Sequence, residues 1–387
     1  MREGWEYKKL GQVCTSDLGK TLNKSKDGGE LHPYLCSINI LWDKIDLSTL
    51  KQACFEADEQ EKYTVRKGDL LVCEGGDTGR SAIWDRDETI LYQNALHRLR
   101  FHESVSPKFV LFYLLYLKDI GEIDNKYSKG VTIKHLVKKA LLSIPLPIPP
   151  KSTQLSIVSE LDKINELIRI KKEQLKDYDT LAQSIFYGMF GDPVENERGW
   201  EVKKLKDISR KIGDGLHGTP EYSELDTGWY FINGNNLENG CISIKSTTKK
   251  VTDSVRKEYY IEMDDFTLLV SINGTLGKSA FYNGENVILG KSACYIKLNK
   301  DVNKLFIYEI IRGEYFKRYA ESVCTGTTIR NVSLKAMREF PIIYPPLPLQ
   351  HSFAQKIEQI EQQKAAIQKT ITDLETLLAA RMQYWFD

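Results

Sequence analysis

The sequence predicts an α+β protein in which two similar α+β domains are separated by two long helices that pair as an antiparallel coiled coil. Three observations predict this fold. The heptapeptide GWEYKKL at 4–10 recurs as GWEVKKL at 199–205. Further motifs recur at nearly the same offset, and a long heptad pattern follows each copy. The whole chain is therefore predicted to be an internal repeat with pseudo-twofold character.

The composition narrows the class of protein. A chain of 387 residues is long enough for two or three domains. Because no apolar run approaches the ~20 residues of a membrane span and the first residues hold no apolar signal segment, we expect a cytoplasmic protein without membrane contact. The seven cysteines are dispersed, which favours reduced thiols. A net charge of +1 means that any nucleic-acid binding must come from local patches.

The repeated motifs mark the domain boundaries. Given as first and second copy, they are GDTGRSAI (76–83) and GTLGKSAF (274–281), GVTIK (130–134) and GTTIR (326–330), and IPLPIPPKSTQ (144–154) and FPIIYPPLPLQ (340–350). We therefore predict a first domain over 1–150, a spacer helix and linker over 151–198, a second domain over 199–346 and a C-terminal spacer helix over 347–387.

The two spacer helices are predicted from heptad patterns, in which seam residues alternate at steps of four and three. The seams are Ile157, Leu161, Ile164, Ile168, Lys171, Leu175, Tyr178, Ala182, Ile185 and Met189, and Phe353, Ile357, Ile360, Lys364, Ile367, Ile371, Leu374, Leu378, Arg381 and Trp385. One alternative is that each helix packs on its own domain. Each seam exceeds 30 residues, or roughly 50 Å, which favours pairing of the helices with each other. The Ser152–Thr153 region offers a helix cap.

Within each domain, short alternating segments predict strands and amphipathic segments predict helices. The strands are DLLVCE (69–74) and FTLLVSI (266–272), and the helices lie at 106–120 and 303–320. The order of the strands does not follow from these patterns.

No catalytic constellation is evident. The GKS sequences at 277–279 and 290–292 are not P-loops, because Ile272 and Glu285 occupy the place of the required first glycine. His217 lacks the spaced His or Cys partners of a metal site. We therefore predict that the chain is not an enzyme and holds no metal.

Polar side chains on predicted loops point instead to DNA recognition. Asn and Gln can pair with adenine and Arg or Lys with guanine, although Asn-Gly clusters are also common turns and single Arg residues are also solvated surface groups. The candidates in the first domain are Lys20, Asn39, Arg80, Gln93, Asn94, His97, Arg98, Lys129, Thr132 and Lys134. Those in the second are His217, Thr219, Asn233, Asn235, Asn236, Asn273, Thr275, Lys278, Lys291, Thr328 and Arg330.

Taken together, the motifs resemble those of a specificity (S) subunit of a type I restriction–modification system. The resemblance covers essentially the whole chain. It is carried by the motifs above and by EGGDTGRSAIW (74–84), YQNALHRLRF (92–101), FGDPVENERGW (190–200), IGDGLHGTPEY (212–222) and GNNLENG (234–240). PPKSTQ and PPLPLQ depart from the family pattern at the start of each helix, where a Glu usually precedes the Gln.

The resemblance implies a function. Each domain would be a target-recognition domain for one half of a bipartite, asymmetric site in double-stranded DNA, and the helices would set the spacer. The implied partners are two modification methyltransferase subunits and restriction/translocation subunits, which would carry S-adenosylmethionine, ATP and Mg, so this chain would need no cofactor. The expected setting is DNA methylation and phage defence in a prokaryotic cytoplasm. Two other hypotheses remain: a coiled-coil scaffold with protein-binding heads, and a self-contained nuclease.

Overall fold

The computed structural model describes residues 4–22, 29–130, 134–324 and 330–387. The chain divides into two compact units. Unit 1 comprises residues 1–173 and 368–387, and unit 2 comprises residues 174–367. Each unit therefore holds one α+β domain together with parts of both long helices.

Unit 1 contains twelve strands among its described residues. They are β1 (Glu6–Lys9), β2 (Cys14–Leu18), β3 (Glu30–Leu35), β4 (Ile40–Leu41), β5 (Lys44–Ile45), β6 (Lys51–Phe55), β7 (Thr64–Val65), β8 (Leu70–Cys73), β9 (Ser81–Ile83), β10 (Ile90–Tyr92), β11 (Leu96–Phe101) and β12 (Pro145–Ile148). Its short helices are α1 (Ala57–Lys62), α2 (Pro107–Asp119) and α3 (Lys138–Ser143), and α4 (Lys151–Phe190) follows them.

Unit 2 repeats this order. Its strands are β13 (Val202–Lys204), β14 (Ser209–Asp214), β15 (Tyr222–Ser223), β16 (Tyr230–Ile232), β17 (Leu237–Glu238), β18 (Cys241–Ile242), β19 (Lys250–Val251), β20 (Thr267–Ser271), β21 (Ser279–Phe281), β22 (Val287–Leu289), β23 (Ala293–Leu298) and β24 (Pro341–Ile343). Its helices are α5 (Asp253–Tyr259), α6 (Lys304–Arg312), α7 (Glu314–Val323) and α8 (Leu334–Glu339), and α9 (Leu347–Phe386) completes the order.

The sheet topology shows that the two domains are copies of one fold. An antiparallel sheet has the order β2-β11-β8-β9 in unit 1 and β14-β23-β20-β21 in unit 2. A second sheet contains one parallel pair in each unit, β3 with β10 and β16 with β22. The copies differ at the edges of this second sheet, where unit 1 adds β7 beside β10 and unit 2 adds β15 beside β19.

The repeated heptapeptide and the repeated proline cluster pair with each other. In unit 1, β1 lies antiparallel to β12, with Glu6 opposite Ile148. In unit 2, β13 lies antiparallel to β24, with Val202 opposite Ile343. The Trp200 indole Nε1 donates to the carbonyl oxygen of Phe190 at 2.9 Å. The heptapeptide is therefore a starting strand that closes the domain against its own end.

One predicted helix is broken in the structure. Residues 303–320 were expected to form a single helix, but α6 ends at Arg312 and α7 begins at Glu314. The backbone at Gly313 between them is extended, with φ −76° and ψ 169°. A side chain there would approach the carbonyl oxygen of Glu309 at 3.1 Å. The amphipathic pattern continues across the break because both helices bury residues on the same domain core.

Buried glutamines, rather than the predicted cap, hold the starts of the long helices. Helix α4 begins directly after Pro150, so Ser152 and Thr153 lie inside it, and the cap prediction is wrong. The Gln154 Nε2 donates to the carbonyl oxygen of Pro149 at 2.9 Å, and its Oε1 accepts from the Ser106 backbone at 2.8 Å. Gln350 makes the equivalent pair of bonds in unit 2.

The long helices are antiparallel within each unit. In unit 1, Lys172 of α4 lies 2.7 Å from Glu375 of α9, and the earlier residue Glu160 accepts from the later Trp385 at 3.0 Å. In unit 2, Lys364 Nζ lies 3.0 Å from the Asp179 carboxylate. All predicted seam residues are buried or half-buried. The predicted fold class, two α+β domains with an antiparallel pair of long helices, is confirmed.

Candidate nucleic-acid interface

A polar cleft in unit 2 brings together residues from four distant segments. Its lining comes from the chain segments just after β14 and β20, the segment just before β23, and the segment that leads into α8. The cavity has a volume of about 210 Å³. The backbone fixes this arrangement. Leu216 and Gly290 form a parallel bridge, and Asn273 and Asn331 form an antiparallel bridge. The cleft lining thus depends on the tertiary fold and not on any local motif.

Three sequence-predicted residues line this cleft: His217, Asn273 and Lys291. The His217 imidazole is about 70% exposed, and its Nε2 lies 2.8 Å from the Asp214 carboxylate, which orients the ring. The Lys291 side chain is exposed, and that of Asn273 is half-buried. Within the described ranges, neither the Lys291 ammonium nor the Asn273 amide has a hydrogen-bond partner. The cleft therefore offers donors and acceptors to a ligand.

Asp214 and Asn331 also line the cleft and were missed at the sequence level. A signal existed for each. Asp214 stands three residues before His217 inside a motif that carried the family resemblance. Asn331 directly follows the repeated GTTIR motif, as His135 follows GVTIK in the first copy. Extending the repeat by one residue would have found a position whose side chain differs between the copies.

Three candidates of unit 1 are corrected, because their side chains are buried in the domain and engaged there. Lys20 is 5% exposed, and its ammonium lies 2.7 Å from the Glu59 carboxylate. Arg98 is also buried and donates to the Asp17 carboxylate at 2.7 Å. The His97 imidazole is fully buried 2.9 Å from a backbone carbonyl oxygen, and burial lowers the pKa of His97. These side chains stabilise unit 1 and are not displayed to DNA.

Two further candidates, Asn39 and Asn236, form the same turn in the two copies. The Asn39 Nδ2 donates to the carbonyl oxygen of Asp46 at 3.0 Å, and the Asn236 Nδ2 donates to that of Ser243 at 3.0 Å. In each case the Oδ1 accepts from the backbone N–H three residues earlier, which for Asn236 is that of Asn233 at 3.1 Å. Asn39 is fully buried. These amides are therefore turn-forming groups. Burial corrects the assignment of Asn39 as a base reader, and contact of the half-buried Asn236 with DNA remains a prediction.

The repeated GDTGR and GTLGK motifs are tight turns between strands. Gly79 and Gly277 have positive φ values of +84° and +79°, which side chains rarely adopt. Their N–H groups donate back to the strand that precedes each turn at 3.0 Å. Arg80 is half-buried and donates to the carbonyl oxygen of Ser37 at 2.9 Å. Turn geometry therefore explains why the motif recurs, so its recurrence is not a reason to expect phosphate contacts.

The remaining candidates lie at or near the surface. Lys129, Thr219, Asn235, Thr275 and Arg330 are exposed, and Arg330 pairs with Glu321 at 3.0 Å. Gln93, Asn94, Lys134, Asn233 and Lys278 are half-buried. Thr132 and Thr328 lie outside the described residues. Contact with DNA remains a prediction for all of these positions.

The described parts of the chain contain no helix that is long and apolar enough to cross a membrane. In the same residues, no group of three or more His, Cys, Asp or Glu side chains is placed to hold a metal ion.

Comparison with known proteins decides the family. The model of the family described as "Type I restriction modification DNA specificity domain" matches residues 2–177 and 197–376. The chain belongs to this family. Two copies of the specificity domain account for the internal repeat, and the resemblance seen in the sequence motifs is confirmed.

Relatives of the specificity family match the chain along most of its length. The type I restriction enzyme MjaVIII specificity subunit of Methanocaldococcus jannaschii is 21% identical, with 93% of this chain and 86% of the relative covered. The StySPI specificity subunit of Salmonella potsdam is 22% identical, with coverage of 96% and 85%.

Solved structures share the fold. A chain from a type I R-M system has a TM-score of 0.62 at 16% identity, and covers 100% of this chain and 98% of that chain. The S subunit of the type I restriction-modification system from M. genitalium has a TM-score of 0.54 at 15% identity, with coverage of 99% and 96%.

Proposed function

We propose that this chain is the DNA-reading subunit of a type I restriction–modification complex, in which each unit reads one half of a bipartite, asymmetric site. The observation that carries the proposal is the duplicated specificity domain, whose two copies share one backbone fold but differ in their exposed polar side chains. A shared scaffold with different surface groups is what two readers of different sequences require.

In the proposed mechanism, phosphate contacts position the protein on the DNA and base contacts select the sequence. Lys and Arg side chains at the surface contact phosphates and set the register, and Asn, Gln and His side chains contact base edges and select the sequence. The antiparallel helices α4 and α9 set the length of the unread spacer. A modification subunit then reaches its target adenine, which must leave the base stack before methylation.

The other activities of the complex are assigned to partner subunits. Two modification methyltransferase subunits would supply S-adenosylmethionine, and restriction/translocation subunits would supply ATP and Mg. No complete P-loop motif occurs in the sequence, and its G-x-G-x-x-G match, GDGLHG at 213–218, does not lead into a helix, which supports a non-catalytic chain. Exposed apolar side chains on the long helices, including Leu155, Leu167 and Leu377, support docking of these partners there. The complex would act on DNA in a prokaryotic cytoplasm.

Methylome sequencing tests the proposal. Cells that co-express the chain with its modification subunit should carry methyladenine in a motif of two short half-sites with a fixed spacer. Replacing residues 199–346 by the second domain of another family member should change one half-site only. If both half-sites changed, the model of two independent readers would be wrong.

A scaffold with protein-binding heads remains the second candidate, because the helix pair suits either function. The salt dependence of DNA binding distinguishes a DNA-reading subunit from a protein-binding scaffold. Binding of the full chain to duplex DNA should weaken linearly on a log–log plot, with a slope of about −0.9 per phosphate contact. A binding constant for DNA that does not depend on salt would favour the scaffold.

A further inference from the structure

The cleft of unit 2 has a backbone counterpart in unit 1. The parallel bridge Leu216–Gly290 corresponds to Lys20–Gln93. The Lys291 N–H donates to the Leu216 carbonyl oxygen at 3.0 Å, as the Asn94 N–H donates to that of Lys20 at 2.8 Å. These bonds place Asn94 of unit 1 where unit 2 has Lys291.

The second bridge of the cleft also has its counterpart. The antiparallel bridge Asn273–Asn331 corresponds to Gly75–His135. In unit 2 the bond beside the bridge runs from the N–H of residue 332 to the carbonyl oxygen of residue 272 at 2.8 Å, and in unit 1 it runs from residue 136 to residue 74 at 2.7 Å. The same two backbone bridges therefore occur in both units, and we call them the shared frame.

The side chains on the shared frame differ between the units. Where unit 2 has Asn273 and Asn331, unit 1 has Gly75 and His135. The unit 1 pair is complementary, because a Cβ on Gly75 would lie 3.3 Å from the His135 imidazole. A shared backbone pairing that carries different polar side chains is the arrangement expected at positions that select between ligands.

We infer that this frame is the base-reading site of each domain, and that Asn273 is the residue that selects a base in the half-site of unit 2. The inference rests on the proposed function. The Asn273 amide lines an open cleft, is half-buried, and carries a donor and an acceptor with no hydrogen-bond partner among the described residues. That pair matches the N6 donor and N7 acceptor of adenine in the major groove.

The neighbours of Asn273 suit this role. Lys291 is exposed at the same cleft and supplies a positive charge for a phosphate. The Asp214 carboxylate holds the His217 imidazole at 2.8 Å, so the ring faces the cleft in a fixed orientation. A cavity of about 210 Å³ leaves room for base-edge atoms or ordered water without rearrangement of the frame.

The first experiment selects duplexes from a randomised library with the full chain and its modification subunit. The wild type should enrich a bipartite motif; its failure to do so would defeat the proposed function itself. Asn273→Ala should reduce discrimination at one base pair of one half-site by roughly 5- to 150-fold, while the other half-site is retained. The matched control Asn283→Ala, an exposed Asn of the same unit, should leave the motif unchanged.

Lys291 is tested by salt dependence. Lys291→Ala should weaken binding to all sequences alike and reduce the log–log salt slope by about 1. Lys257→Ala removes the same charge from an exposed position on α5 and should leave the slope unchanged. An unchanged slope in the Lys291 variant would remove Lys291 from the site.

The second experiment transfers the two asparagine side chains of the unit 2 cleft to the corresponding positions of unit 1. Gly75→Asn combined with His135→Asn places the unit 2 pair on the unit 1 frame, and both changes are needed because of the close contact between these residues. The double variant should alter base preference in the half-site of unit 1 only, and His135→Asn alone should not install the new preference. If the selected motif stays the same in both Asn273→Ala and the double variant, the inference is wrong.

Discussion

Replacing Gln350 by alanine should destabilise unit 2 by about 2–4 kcal/mol. The side chain is fully buried, its Oε1 accepts from the Asn303 N–H at 3.1 Å, and its Nε2 donates to the Pro345 carbonyl oxygen at 2.8 Å. Alanine leaves both backbone groups without these partners, and a buried unsatisfied group costs about 1–3 kcal/mol. The sum of two such groups, reduced by any water that enters, gives the stated range.

Hydrogen exchange measured by mass spectrometry is the suitable assay, because a chain with two units does not unfold in a single two-state step. Peptides from β20 and β23 report the opening free energy of unit 2. Gln355→Ala is the matched control, since Gln355 is exposed on the same helix, and it should change stability by less than about 0.5 kcal/mol.

The refuting result is clear. If Gln350→Ala and Gln355→Ala gave equal exchange in unit 2, the buried amide would not hold the start of α9. The corresponding change Gln154→Ala should lower the stability of unit 1, where the Gln154 side chain also donates to the Ser104 carbonyl oxygen at 3.1 Å.

Three other outcomes are expected. Phe386→Ala should cost unit 1 about 1–3 kcal/mol in the same exchange assay, because the ring packs edge-on against aromatic side chains of α2 at 5.4 Å. Burial raises the pKa of Glu309 to about 7 beside Arg312, so folded unit 2 binds more protons than the unfolded state. The free energy of unfolding of unit 2, measured by hydrogen exchange, should therefore fall as pH rises from about 4.5 to 7, and Glu309→Gln should flatten this dependence. Lys364→Leu should remove the ion pair with Asp179 from the helix seam. The free energy of unfolding of unit 2 should rise or stay equal, while exchange in α4 should show a less well defined helix register.

The sequence by itself determined the duplication and the helix pair. Repeat offsets and heptad spacing are local properties that do not depend on the rest of the fold. The proline clusters therefore indicated where α4 and α9 begin, and the seams indicated that the two helices pair. The paired strands β1 and β12 show why two of the motifs recur together: one motif begins the domain and the other ends it.

Only the tertiary structure decided which polar side chains face solvent. His97 and Arg98 lie in β11, an inner strand of its sheet, and nothing in their local sequence separates them from surface residues. Asn39 likewise does not face solvent, because its side-chain amide hydrogen-bonds to the backbone of the turn that it forms. The unit 2 cleft joins segments more than a hundred residues apart through backbone bridges. Such proximity arises from strand pairing across the domain, which a single sequence does not specify.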